Sequence, residues 1–389
     1  MAFRTRWEPV CGRRPAAARA LALAAALAVA APAAACSGSG ASTSAPRTAS
    51  PAITAAQARQ VWDQYVAAAA QAAPPHSAPP VLSLVTGVER AVLSAALGGH
   101  SVTVSGSPSA ATGAYHSSLS VKPGLSTYTY GPPTFYLPEA AGYPRFFVVS
   151  ATRTAKGATP AGAATAELGG ARVPLNGPAL MLFSQARTGA PWLLASASPL
   201  ASGVTPPKLA ADGAGHVPIV PLSDTALLAR PDDVGPLQAA VVDDGPASTA
   251  TRVVAAGPLT TGMYQGARDH ADGLTAPSGD IYQWELQGVN LPEFALRTAA
   301  GGALVFYAMS LNTTVAVPDV INKSNPIHSG PPIPVPAALK MLLPPAQPAP
   351  LIQLSSEQQL SFTAIDPPQG KTKIQVIAIG GGLTNASAT

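Results

Sequence analysis

The clearest helix signal in the chain is Ile53-Thr-Ala-Ala-Gln-Ala-Arg-Gln-Val-Trp-Asp-Gln-Tyr65, which predicts an α-helix over residues 53–73. Thr54 and Gln57 form a capping box, in which each side chain satisfies a backbone N–H at the start of a helix. Pro74-Pro75 ends the pattern. Between these signals, apolar residues recur at helical spacing and predict a face that packs into the core: Val61, Trp62, Tyr65, Val66 and Ala69.

The elements that follow predict a sheet after the helices. A second helix is expected at residues 81–97, because Gly98-Gly99 closes an apolar run there. Strand signals begin near Thr134, and runs of aromatic and β-branched residues continue them at residues 146–152 and 180–186. The first half therefore reads as two helices followed by an antiparallel sheet.

The second half repeats this order of elements. Its predicted parts are weak helices at residues 232–256 and 258–271, a hairpin at 294–309, and a last pair of strands at 360–365 and 373–379. Prolines concentrate at residues 200–230, so the boundary between two domains is placed there. We predict an α+β protein in two halves, residues 53–205 and 225–389, each with one or more N-terminal helices packed on a curved antiparallel sheet.

Ahead of these domains the chain has the pattern of an export signal. Five arginines precede an apolar run at residues 20–31, and three alanines lead to Cys36. The apolar run is shorter than the roughly 20 residues that cross a bilayer, and it fits the central part of a signal peptide. We expect residues 1–35 to be removed.

The residues before Cys36 resemble the lipobox of bacterial lipoproteins. This resemblance implies that Cys36 becomes the mature N-terminus and carries a diacylglyceryl group, with residues 36–52 as a flexible tether to the extracytoplasmic face of the membrane. Ala33 stands where that family usually has leucine, and Ala33-x-Ala35 also suits ordinary signal peptidase. The second route leaves Cys36 as a free thiol, and both routes export the protein.

The net charge of +4 comes from the signal. Residues 1–36 contain five arginines and Glu8, so 18 basic and 18 acidic residues remain after them. A mature chain without net charge has no electrostatic basis for binding nucleic acid or anionic lipid. Cys36 is its only cysteine, which excludes an intramolecular disulfide and a cysteine-based metal site.

Motifs for catalysis or metal binding are absent from the sequence. No two of the six histidines have the i, i+4 spacing of a helical zinc site. Asp269-His-Ala-Asp-Gly273 departs from the calcium-loop pattern and is interpreted as a solvated turn. Gly370-Lys-Thr372 lacks the upstream glycine of a phosphate-binding loop and is interpreted as a hairpin loop. We therefore assign no catalytic residue, metal ligand or cofactor, and favour a protein that is not an enzyme.

Aromatic residues are concentrated in residues 128–147, although aromatics make up only 5% of the chain. Tyrosines on a sheet edge or concave face can line a groove for a peptide, glycan or lipid. The alternative is that the sheet uses these side chains in its own core. The candidate ligand-binding residues are Tyr128, Tyr130, Tyr136 and Tyr143.

Several segments resemble an uncharacterised family of lipoproteins from high-GC Gram-positive bacteria. They are the helix at 53–65, Tyr143-Pro-Arg-Phe-Phe147, Pro191-Trp-Leu193 and the closing run at 367–377. The order of helices and sheet in each half also resembles cystatin-like and NTF2-like cones, which host both enzymes and binding modules. The family resemblance implies a domain of unknown function and supplies no functional residues.

The expected function is non-enzymatic binding of a partner protein or an apolar ligand at the cell envelope. One alternative is a hydrolase that acts on envelope polymers, which predicts a hydrogen-bonded polar cluster inside a cleft. A binding protein predicts an apolar or tyrosine-lined hollow without perturbed titratable groups. A solute-binding lipoprotein of a transporter is disfavoured, because those proteins alternate strands and helices into parallel sheets.

Overall fold

The computed structural model describes residues 51–71, 80–98, 128–139, 142–155, 165–213, 215–317, 333, 335–344 and 352–389. The predicted signal peptide, Cys36 and the tether as far as residue 50 lie outside these ranges. Within them, no helix combines the length and apolar character needed to span a membrane.

Helix α1 spans Ala55–Gln71 and confirms the predicted start. The Thr54 backbone N–H donates to Gln57 Oε1 at 3.1 Å, and the Gln57 N–H donates to Thr54 Oγ1 at 3.2 Å. Trp62 is 3% exposed and Tyr65 is 8% exposed, so both side chains pack in the core as expected. The capping box thus fixes where α1 begins. The apolar face of α1 determines how the helix packs against the core.

The single helix predicted at residues 81–97 is wrong in its first part. The chain forms a 3₁₀ turn at Pro80–Leu84 and then helix α2 at Gly87–Gly98. Between them Val85 bridges Leu194, and the Thr86 N–H donates to the Leu194 carbonyl at 2.8 Å. Gly87 has a φ of +55°, a conformation that glycine adopts at little cost. This contact with a distant strand interrupts the helix.

The first sheet follows these helices and contains six strands. They are β1 Tyr128–Tyr130, β2 Thr134–Pro138, β3 Arg145–Ala155, β6 Gly177–Gln185, β7 Leu193–Pro199 and β8 His216–Val217. Their order is β7-β6-β3-β2-β8, with β1 also paired to β3, and every pair except β2–β8 is antiparallel. Strands β4 Thr165–Leu168 and β5 Ala171–Pro174 form a separate hairpin that the sequence analysis did not predict.

The second half begins with helices α3 Val234–Asp244 and α4 Thr261–Ser278. Its strands are β9 Ile281–Gly288, β10 Phe294–Arg297, β11 Ala303–Ala316, β12 Gln353–Asp366 and β13 Gln375–Ala388, and the short helix α5 is Ala337–Lys340. The sheet order is β10-β11-β12-β13, with β9 also paired to β11. The predicted hairpin is confirmed as β10–β11, and the predicted last pair of strands as β12–β13. Helices packed on antiparallel sheets confirm the α+β class, and the two halves agree broadly with the predicted plan.

The two sheets share a hydrophobic core. Phe146 and Val148 of β3 belong to the same buried cluster as Leu304 and Phe306 of β11. The proline-rich segment at residues 200–230 runs beside the second sheet, where it forms bridges between Leu209 and Thr298, Ile219 and Leu296, and Leu227 and Pro368. The described residues belong to one compact unit.

Candidate functional site

A cavity of about 630 Å³ lies among elements of both halves. Its walls come from α1, α2, β1, β3 and the β4–β5 hairpin of the first half and from α4, β9, β11, β12, β13 and α5 of the second half. Most side chains that face it are apolar, among them Val92, Leu93, Val173, Met263, Leu311, Val315, Leu339, Leu342 and Leu354. The volume is within the range of about 300–1,000 Å³ that is typical of small-molecule sites.

The β4–β5 hairpin forms one wall through its two turn glycines. Gly169 and Gly170 have φ angles of +56° and +79°, which side-chain-bearing residues rarely adopt. The Gly169 N–H donates to Gln358 Oε1 at 3.2 Å, which ties the turn to β12. A Cβ at Gly266 of α4 would lie 2.7 Å from the Gly170 carbonyl oxygen, so the absence of that carbon lets the turn seat on the helix.

Strand β13 contributes Gly380, Gly381 and Gly382 to another wall of the cavity. A Cβ at Gly380 would collide with the Ala197 carbonyl oxygen, and a Cβ at Gly382 would lie 3.1 Å from Val92 Cγ1. Gly380 and Gly382 therefore allow β7 and α2 of the first half to approach the second sheet closely.

Five residues at one end of the cavity, Tyr65, Glu89, Tyr128, Tyr130 and Arg153, are called the Arg153 cluster below. The hydroxyl oxygens of Tyr65 and Tyr130 are 3.5 Å apart. Arg153 Cζ lies 4.5 Å from the centroid of the Tyr128 ring, in cation–π geometry. Strand pairing produces this arrangement, because Tyr130 on β1 is the register partner of Arg153 on β3.

Arg153 is buried without a counter-ion. Its side chain is 9% exposed, and its Nε has no hydrogen-bond partner in the structure. Among the described residues, no carboxylate forms an ion pair with its guanidinium. A fixed positive charge therefore faces a mostly apolar hollow.

The other titratable groups of the cluster have raised pKa values. Desolvation raises the pKa of the Glu89 carboxyl to about 7, although the hydrogen bond from the Ala197 N–H and the charge of Arg153 oppose this effect. That hydrogen bond, from Ala197 N to Glu89 Oε1, is 2.9 Å long. Desolvation also raises the pKa of Tyr130 to about 12 and places that of Tyr65 well above its ordinary value.

The structure brings two of the four predicted tyrosines into the cavity, Tyr128 and Tyr130. Tyr136 is half-buried against the core that the two sheets share. Tyr143 is 39% exposed, and its ring lies 4.7 Å from Arg145 Cζ. The two tyrosines of β1 therefore line the cavity. Tyr136 packs against the core, and Tyr143 lies at the surface.

Glu89 and Arg153, the two charged members of the cluster, were not predicted from the sequence, because nothing local distinguishes them from surface residues. Two other signals were present. Gly169-Gly170 between alternating residues is typical of a tight hairpin. Residues 282–287 alternate apolar with polar side chains, which predicts strand β9. This strand adds two aromatic residues to the wall, Tyr282 and Trp284.

The solvated turn predicted at 269–273 is wrong, because these residues lie inside α4. His270 lines the cavity, and its ring centroid is 4.6 Å from that of Tyr282. Burial lowers the pKa of His270. In the part of the chain that the structure describes, no three histidine, cysteine, aspartate or glutamate residues are grouped to hold a metal ion. The hairpin loop at 370–372 is confirmed between β12 and β13.

The raised pKa values of Glu89, Tyr65 and Tyr130 differ from the expectation that a binding hollow has no perturbed titratable groups. No serine or threonine of the described lining, however, is hydrogen-bonded to a base. Apart from the tyrosines, the described lining hydroxyls are those of Thr313 and Ser356, which lie 2.7 Å apart and form a hydrogen bond. The partner of Ser356 in this bond is a hydroxyl, whereas a serine nucleophile requires a base within hydrogen-bond reach. The arrangement instead offers apolar contact along most of its surface and a charged group at one end.

A family model described as a domain of unknown function, DUF8094, matches residues 49–388. The match covers most of the chain, which therefore belongs to this family. No curated protein and no solved structure matches the chain.

Proposed function

We propose that this DUF8094 protein is an exported, non-enzymatic binding protein that holds an apolar or amphiphilic molecule in its cavity. The observation that carries the proposal is the hollow of about 630 Å³, whose lining is mostly apolar and includes the charged and tyrosine side chains of the Arg153 cluster. Ligand sites of this size bind mainly through buried apolar surface, and a few polar groups orient the ligand. Each Å² of apolar surface removed from water contributes about 25 cal/mol.

We also propose that the protein is attached to the membrane, on the basis of the sequence that precedes the described residues. Cys36 is modified with diacylglycerol and anchors the domain at the extracytoplasmic face of the membrane. Intact-mass spectrometry of the protein from its native membrane fraction tests this. A mass of residues 36–389 plus diacylglyceryl, lost in Cys36→Ala, supports the anchor. An unmodified chain in the medium contradicts the anchor and leaves the cavity proposal intact.

Binding is tested with the fluorescent apolar probe N-phenyl-1-naphthylamine and its displacement by 1-hexadecanol. Cys36→Ala is the background, so that no attached acyl chain competes with the probe. Ala69 of α1 and Ala267 of α4 face the cavity from different halves, so Ala69→Trp and Ala267→Trp each place an indole ring inside it. We expect both variants to weaken binding about tenfold or more, which corresponds to about 1.4 kcal/mol.

Ala67→Trp is the matched control, because Ala67 is exposed on the same helix as Ala69 and does not line the cavity. It is expected to bind the probe as the parent chain does, with all three variants folded by circular dichroism. Absence of binding by the parent chain, or equal binding by all variants, contradicts the proposed function.

A further inference from the structure

We infer that the cavity selects anionic amphiphiles, with a carboxylate or phosphate head group bound by Arg153 and the tail against the apolar walls. This inference rests on the proposed function and names the class of ligand for the same cavity.

The surroundings of Arg153 favour an anionic partner. Arg153 is 9% exposed, its Nε has no hydrogen-bond partner, and no described carboxylate lies within ion-pair distance of it, so the charge of Glu89 acts on it only from farther away. Desolvation of such a group is unfavourable unless a partner compensates for it. An anionic ligand in the cavity supplies that partner.

The geometry of the Arg153 cluster suits the same class of ligand. The Tyr128 ring, 4.5 Å from Arg153 Cζ, restricts the orientation of the guanidinium. A guanidinium held in this way presents its N–H groups as a fork that fits the two oxygens of a carboxylate or phosphate. The hydroxyls of Tyr65 and Tyr130, which are 3.5 Å apart, also face this end and can donate to the same head group.

The other charged groups of the cavity do not form an ion pair with Arg153 in place of a ligand. Glu89 lines the same end, but its Oε1 accepts the Ala197 N–H and it forms no ion pair with Arg153. Glu167 and Arg172 of the β4–β5 hairpin also line the cavity and carry opposite charges. Away from the cluster, the wall includes the apolar side chains of Val315, Leu339, Leu342 and Leu354, which suit a hydrocarbon tail.

The test compares ligands that share one hexadecyl tail: palmitate, hexadecyl phosphate, 1-hexadecanol and hexadecyltrimethylammonium. Each displaces N-phenyl-1-naphthylamine from the Cys36→Ala protein, below its critical micelle concentration. We expect at least one of the two anions to bind about tenfold more tightly than the alcohol, and the cation to bind most weakly. A preference between palmitate and hexadecyl phosphate distinguishes a fatty acid from a phospholipid as the source of the head group.

Arg153→Met retains the length of the side chain and removes its charge, and Arg153→Gln is the second variant. Both are expected to lose the preference for anions while the affinity for 1-hexadecanol stays within about threefold. Arg187→Gln removes the same charge from an exposed turn outside the cavity and should retain the preference. Thermal unfolding separates this role from a structural one, since loss of an unpaired buried charge should leave the melting temperature equal or higher.

The outcomes separate the two proposals. If the protein binds 1-hexadecanol and both anions equally, or if the Arg153 variants keep the preference, the inference is overturned and the proposed function stands. If none of the four ligands displaces the probe and the probe itself does not bind, both are overturned.

Discussion

The Ser198 hydroxyl of β7 lies 3.0 Å from the Ser361 hydroxyl of β12, so a hydrogen bond joins the first sheet to the second inside the core. Both side chains are buried, and Ser198 Oγ also lies 3.3 Å from the Ser361 carbonyl oxygen. Because this contact is where the two halves meet beside the cavity, it offers a direct test of how strongly they are coupled.

Ser198→Ala is expected to lower the free energy of unfolding by about 1–2 kcal/mol, because it leaves the buried Ser361 hydroxyl without this partner. Urea denaturation gives the value. In a double-mutant cycle with Ser361→Ala, the double variant should lose less than the sum of the two single changes. Strict additivity would show that the hydroxyl pair contributes nothing to the junction.

Gly380→Ala is expected to be strongly destabilising, by about 2–4 kcal/mol, because its Cβ would collide with the backbone oxygen of Ala197 and neither strand can shift freely. Gly273→Ala is the control. Gly273 lies in α4, where an added Cβ would meet no neighbouring group within 4 Å, so alanine there should be neutral or stabilising by up to about 1 kcal/mol. Equal melting temperatures for the two variants would refute the close approach of β7 and β13.

Tyr307→Phe is expected to cost about 1–3 kcal/mol, since Tyr307 Oη donates to Gln238 Oε1 at 2.7 Å in the buried core of the second half. Gln238 Nε2 donates to the Leu259 carbonyl at 2.8 Å, so the amide is held in place and its oxygen would lose this partner. The same change at the half-buried Tyr264 serves as the comparison, and a larger loss there than at Tyr307 would argue against the network.

Asp366→Asn is expected to change how stability depends on pH. Burial raises the pKa of Asp366 to about 7 from the usual 3.8, so the native state favours the protonated carboxyl. This contribution is complete below about pH 4, and it is lost as pH rises through 7. The asparagine variant has no such loss, so its advantage over the parent chain should grow between pH 5 and pH 8, by about 1–3 kcal/mol in the free energy of unfolding.

Asp63→Asn on the exposed face of α1 is the matched control for the loss of one carboxyl group. Denaturant titrations at four pH values are sufficient. A constant difference between Asp366→Asn and the parent chain across this range would mean that Asp366 titrates normally.

Local signals explain what the sequence predicted correctly. The start of α1 depends on Thr54 and Gln57, which are three residues apart, and the β10–β11 hairpin depends on a short turn between two apolar runs. The break before α2 was not predictable in this way, because it depends on Leu194, more than 100 residues away along the chain. The two residues of a capping box are close together in the sequence, so the sequence shows both. The Val85–Leu194 bridge joins residues that are far apart, and neither one indicates the other.

The same distinction applies to the cavity. Tyr128 and Tyr130 were found because aromatic residues are rare in this chain and concentrated near them. Arg153 and Glu89 come together through strand pairing and the packing of α2 on β7, which no spacing along the chain records. Their chemistry depends on burial, and burial of a charged residue becomes visible only when the fold is known.

The walls of the cavity draw on residues from Tyr65 to Leu383, which are far apart in sequence. A bound molecule would therefore act as a non-covalent cross-link between the beginning and the end of the folded chain. At a ligand concentration of 100 times Kd, such a cross-link adds about 2.7 kcal/mol to the free energy of unfolding. A chain that stops before β13 lacks part of the binding surface. Ligand bound in the cavity would therefore distinguish chains that have folded with β13 in place from shorter or unfolded ones.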